Sequence, residues 1–136
     1  MALNSARGKA RDARRRGDLR QLATSLELNY NDNSNYPSTA GAWWGNCSSY
    51  GSHGLTGANG YIPNLAPGYL AQLPIDPKYN GPGGCYLYQS NGVNYKLLVH
   101  GTTESLCPVP SADSMYDPAR PGQCTFAIYT PGAVGW

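Results

Sequence analysis

From Ser5 to Asn31 the chain contains no proline and only two glycines, Gly8 and Gly17, and it then enters "NDNSNYP", where Asn, Asp and Ser precede Pro37. An uninterrupted run of that length closed by breakers specifies one long helix over residues 5–31. At about 100° per residue, Leu19, Leu22, Ala23, Leu26 and Tyr30 fall within roughly a third of the circumference. That face requires a partner, so these five residues are the expected helix–sheet core. The N-terminal half reads differently. Arg7, Lys9, Arg11, Arg14, Arg15, Arg16 and Arg20 spread around the helix and share it only with Asp12 and Asp18. Charges on every side predict that this half projects from the domain. The same spacing allows Asp12 and Asp18 to pair with Arg16 and Arg14 across one turn. Ala6, Ala10, Ala13 and Gly17 recur at intervals of four, three and four, almost opposite the leucine face, and Leu28 continues the stripe. A stripe of small residues lets two helix backbones approach closely.

Past the helix the chain changes character. Residues 38–60, "STAGAWWGNCSSYGSHGLTGANG", have no period and many Gly and Ser, which predicts a long loop lying on the domain. A short helical turn is expected at residues 69–73, closed by Pro74, and Asp76-Pro77 opens a turn. "CYLYQ", Asn91-Gly92 and "NYKLLVH" form a hairpin signal, and "CTFAIYT" supplies a further strand. The reading is an α+β domain, one long N-terminal helix packed on a small antiparallel sheet of three to four strands, with long disulfide-tied loops. The 136 residues form a single unit: helix at 5–31, loop region at 32–83, sheet and closed C-terminal loop at 84–136.

Cys47, Cys85, Cys107 and Cys124 are too dispersed for a C-x-x-C zinc site, and only His53 and His100 accompany them. Disulfides follow, with three possible pairings. Sequential closure, 47 with 85 and 107 with 124, is expected because the second pair brackets a Pro-rich loop. Closing such a loop is worth about 3 kcal/mol on the chain-entropy model.

Enzymatic chemistry has no visible carrier: the two histidines are isolated, the carboxylates are dispersed, and "GPGG" at 81–84 precedes a strand rather than a helix. No cofactor site is expected. Asp113 and Asp117 offer carboxylates for Ca²⁺, but that ion takes roughly six to eight oxygen ligands, and "SADSMYDPARPGQC" is no calcium loop. Trp43, Trp44, Tyr50 and Tyr61 lie in loops, either as anchors or as an adhesive patch. The basic helix over 7–20 provides the charge density of a nucleic-acid-binding module, although its charges do not share one face.

At several places the chain resembles the pilin-like superfamily, which includes type IV pilins and the major pseudopilin of type II secretion. "ARGKARDARRRGDLRQLATSLELNYNDNSNYP" is similar to the part of that family's first helix beyond the membrane, "YLAQLPIDP" to its Leu-Pro-x-Asp-Pro element, and "CYLYQSNGVNYKLL" to its hairpin. The family's basic leader, processing site and apolar helix have no counterpart after Met1, so the resemblance is to a soluble head without its N-terminal membrane helix. It implies a non-enzymatic subunit of a helical filament, a type IV pilus or a type II secretion pseudopilus, bundled through Ala6, Ala10, Ala13, Gly17, Arg14, Arg15 and Arg16. Implied partners are further copies of the chain, other pilins or pseudopilins and the inner-membrane assembly machinery. The implied location is the bacterial inner membrane with a periplasmic head, or an extracellular pilus. A nucleic-acid-binding module, an adhesive filament tip or minor pilin, and weak DNA contact by a filament stand as alternatives.

Overall fold

The computed structural model describes residues 2–136. Helix α1 spans Ala2–Asn33, a turn longer than the sequence signals mark, and it packs on a three-stranded antiparallel sheet. The strands are β1 (Tyr86–Ser90), β2 (Tyr95–Val99) and β3 (Phe126–Tyr129), in the order β1-β2-β3. Two 3₁₀ turns, Ser48–Tyr50 and Pro131–Ala133, complete the regular structure. Residues 69–73 form no helix. The one helical bond nearby runs earlier, from the Tyr69 N–H to the Leu65 carbonyl at 2.9 Å.

The period-2 pattern of the strands divides their side chains between two covered faces. Tyr86, Tyr88, Tyr95, Leu97, Val99 and Phe126 meet Leu19, Leu22 and Leu26 of α1, together with Tyr61, Ile62, Leu65 and Leu73 from the long loop. Leu87, Leu98 and Ala127 turn the other way, onto Cys47, Cys85 and the flanks of Trp43 and Tyr50. A sheet this small is therefore buried on both sides, one by a helix and one by a loop. Gly45 is what lets the loop lie so close. A Cβ there would come within 2.8 Å of the Leu87 side chain and 2.9 Å of Cys85 Sγ.

The same loops occupy the sheet's outer edges. Trp44 exchanges both backbone bonds with Tyr88 at 2.9 Å, and Thr39 donates to the Ser90 carbonyl. On the far side, Ala127 donates to the Met115 carbonyl at 2.8 Å, and Tyr116 bridges Phe126. The disulfides join Cys47 to Cys85 and Cys107 to Cys124, the sequential pairing.

Two expectations for α1 need correction. Tyr30 is not core: it is 42 % exposed and rests its ring against Tyr36 at 4.8 Å. At that level the helix turns Asn29 inward instead, buried and donating to the Asn35 carbonyl at 3.0 Å, so only Leu19, Leu22 and Leu26, with half-buried Ala23, carry the apolar contact. Nor does the N-terminal half project, because Gly8, Asp12 and Arg15 are buried. Apolar burial alone predicts a contrast along one helix. Leu26→Ala should lower unfolding stability by about 2–5 kcal/mol, whereas Leu28→Ala, on the outward side, should stay within about 0.5 kcal/mol. Paired denaturant titrations measure both.

Candidate functional site: the two faces of the first helix

The inward face of the basic half is held by carboxylates that come from distant loops. Arg15 is fully buried. Its Nη1 donates to Asp12 Oδ1 at 2.8 Å and to Glu104 Oε2 at 2.7 Å, while Nη2 donates to Asp76 Oδ1 at 3.1 Å. Arg11 grips Glu104 bidentately, at 2.7 and 2.6 Å. The acids are themselves saturated. Asp12 accepts from the Ser105 N–H and hydroxyl, both at 2.8 Å, and from the Glu104 N–H. Asp76 accepts from the Thr102 hydroxyl and the Lys78 N–H. At the next residue, Arg16 forks onto Asp113 at 2.9 and 2.6 Å with its guanidinium 4.1 Å above the Phe126 ring. The Tyr86 hydroxyl closes the row on Asp18 at 2.6 Å.

These bonds set the protonation of the groups. Burial opposes the Arg15 charge, but bonds to Asp76, Glu104 and Asp12 outweigh it and raise its pKa. The Arg11 and Arg15 bonds pull Glu104 down to about 2, and Arg16 lowers Asp113. Asp18 moves the opposite way, raised by burial despite the Tyr86 bond.

The outward face is bare. Ala6, Ala10, Ala13, Gly17 and Leu28 are all exposed, so the small-residue stripe lies where the periodicity puts it. Arg14, Arg15 and Arg16, expected together on an assembly surface, separate: Arg15 and Arg16 turn inward, and Arg14 stays outside, its Nε 3.7 Å from Asp18. The pairing of Asp12 is also reassigned, to Arg15 three residues on instead of Arg16. Four exposed cations remain on α1: Arg7, Lys9, Arg14 and Arg20. For a nucleic-acid track, the internal engagement of Arg11, Arg15 and Arg16 removes much of the density that the sequence offered.

The partners Asp76 and Glu104 went unrecognised in the sequence. The available signal was the charge balance: after residue 20 the chain holds six acidic and only three basic residues, while its first 20 hold seven basic and two acidic. Three of those six acids, Asp76, Glu104 and Asp113, have their cations in the helix.

A second buried charge cluster ties the C-terminal residues to the sheet. Lys96, on the central strand, is fully buried and donates to Asp117 Oδ1 at 2.6 Å and to the Val134 and Trp136 carbonyls at 3.0 Å. Arg120 adds bonds to Asp117 Oδ2 at 2.7 Å and the Trp136 carbonyl at 2.8 Å. Asp113 and Asp117, considered above as calcium ligands, are thus each neutralised by their own cations. Among the described residues, no group of three or more His, Cys, Asp or Glu is arranged to hold a metal ion.

A cleft of about 390 Å³ lies over the Cys47–Cys85 disulfide, lined also by Tyr50, His100 and Thr102. Burial lowers the His100 pKa, the Tyr50 ring meets it edge-on at 5.8 Å, and the Thr102 hydroxyl is committed to Asp76. The loop aromatics do not form one patch. Tyr61 is fully buried with its hydroxyl on the Pro74 carbonyl, and Trp44 stacks on His53 at 4.1 Å. No helix among the described residues is long and apolar enough to cross a membrane.

Arg15→Met should cost about 3–5 kcal/mol, because it leaves buried Asp12 and Asp76 without their cation. Glu104 has its carboxyl depressed in the fold, so its contribution is complete above its unfolded pKa and is lost as pH falls toward about 2. Glu104→Gln should therefore lower stability at pH 7 and flatten the acid limb of a pH–stability curve. An equally steep limb in the variant would assign that limb to other groups. No protein-family model, curated protein sequence or solved structure matches this chain.

Proposed function

We propose that this chain is a structural subunit of a helical filament of the type IV pilus or type II secretion pseudopilus kind, assembling through its first helix. The observation that carries the reading is the division of α1 into two faces from Gly8 to Asn29. One face is locked to the sheet and loops by leucines and by the Arg11, Arg15 and Arg16 ion pairs. The other presents Ala6, Ala10, Ala13 and Gly17 to solvent with nothing from its own chain over them. A 32-residue helix attached along one side only is a rigid strut whose free side can meet other helices. The quoted resemblance of residues 5–37 and 69–99 to pilin-like proteins supports the same reading. So do two disulfides, which belong to an oxidising compartment. On this reading the head lies in the periplasm or on an extracellular fibre, and an apolar helix of about 20 residues ahead of α1 supplies the membrane anchor.

The test joins the chain to such an apolar helix in bacteria carrying either a type II secretion or a type IV pilus assembly machine. Filaments labelled by antibody to the head are expected in one of the two settings, and Ala10→Leu or Ala13→Leu should reduce them. Filaments in neither setting would overturn the proposal. Undiminished filaments with both leucines would remove the stripe's close-packing role.

A further inference from the structure

On the outward face of α1, cations and carboxylates are separated along the axis. Glu27 and Asp32 are exposed near its C-terminal end, and the exposed cations Arg7, Lys9, Arg14 and Arg20 all precede them. The two acids accept bonds only from neutral phenols, Tyr36 to Glu27 at 2.9 Å and Tyr69 to Asp32 at 2.7 Å, so their charge is not cancelled within the chain. At about 100° per residue, Arg14 and Asp32 lie on one flank of that face, and Arg20 and Glu27 lie on the other.

From this charge pattern we propose that a second copy of the chain docks on this face, parallel and displaced along the axis, with Arg14 of one copy opposite Glu27 of the next and Arg20 opposite Asp32. When two parallel helices meet face to face, opposite flanks come together, as the e and g positions of a coiled coil do. Thirteen residues separate Arg14 from Glu27, and twelve separate Arg20 from Asp32. A single displacement of about 19 Å, at 1.5 Å per residue, therefore brings both pairs together at once. Arg14 is held in its own chain only by exposed contacts, a bond from Nη2 to the Ile75 carbonyl at 3.2 Å and a 3.7 Å approach to Asp18, and its side chain is 57 % exposed, so it can make the exchange. In this arrangement one copy's basic half meets the next copy's acidic end, leaving the acidic end of the first and the basic half of the second for further neighbours, so the contact is heterologous and does not close. The inference rests on the filament reading for its parallel orientation, and it adds the register.

The chain itself is the material for the test: sedimentation velocity at low ionic strength, where exposed pairs are least screened. Association weakening with added salt is expected. Arg14→Glu with Arg20→Glu should weaken it roughly tenfold. Arg14→Glu should be rescued by Glu27→Arg and not by Asp32→Arg, and Arg20→Glu by Asp32→Arg and not by Glu27→Arg. Far-UV circular dichroism establishes that each variant is folded, and the two independent pairs keep the test decisive if one variant is not. Rescue with the partners exchanged identifies an antiparallel dimer and overturns the proposal. So does the absence of any rescue, or of self-association up to about millimolar concentration, well above the dissociation constants of specific complexes. Lost retention of R14E and R20E on DNA or anionic vesicles, with self-association unchanged, assigns these arginines to another partner and likewise overturns it. Filaments that form undiminished with R14E retain the filament reading while removing this register.

Discussion

The buried guanidinium of Arg15 is the interaction on which the arrangement of the rest depends. It stands where three separate parts of the chain converge: its own helix through Asp12, the end of the long loop through Asp76, and the loop before the C-terminal disulfide through Glu104. An arginine removed from water is tolerable only when its donors and the acids they meet are all satisfied. Here the Lys78, Glu104 and Ser105 N–H groups and the Thr102 hydroxyl supply the remaining bonds to the acids. The planar fork also demands particular directions, so two loops without regular structure are placed as specifically as strands would be.

The sheet repeats this device with the signs arranged differently. Lys96 carries its charge into the covered side of the central strand, and residues 113–136 fold over it through Asp117, Arg120 and the last carbonyls. Both clusters do what a larger apolar core would do in a chain with fewer glycines and prolines. They fix long irregular segments, and the disulfides limit how far those segments can separate when the domain opens.

What the sequence disclosed follows from range. Leu19, Leu22 and Leu26 announce themselves by a 3.6-residue period, and "CYLYQSNGVNYKLLVH" by alternation about an Asn-Gly turn, so helix, hairpin and core were legible. The sequential disulfide pairing was legible too. The burial of Arg15 was not, because two of its three acids, Asp76 and Glu104, stand 61 and 89 residues away and no local spacing links them to it. A run of arginines looks equally solvated whether or not a loop returns to cover it. Tyr30 misled for a local reason: the neighbouring Asn29 takes the inward position there and bonds the chain beyond the helix.

The covered rims of the sheet bear on how copies of this domain can combine. Backbone hydrogen bonding along β1 is taken up by residues 39–44, and along β3 by residues 115–116. An incoming strand would first have to peel away a segment that is itself tied down, near Cys47 on one side and inside the Cys107–Cys124 ring on the other. The domain is thus guarded against edge-to-edge joining and the uncontrolled growth it brings. Ordered association is left to side chains, whose charge and size can distinguish one neighbour from another.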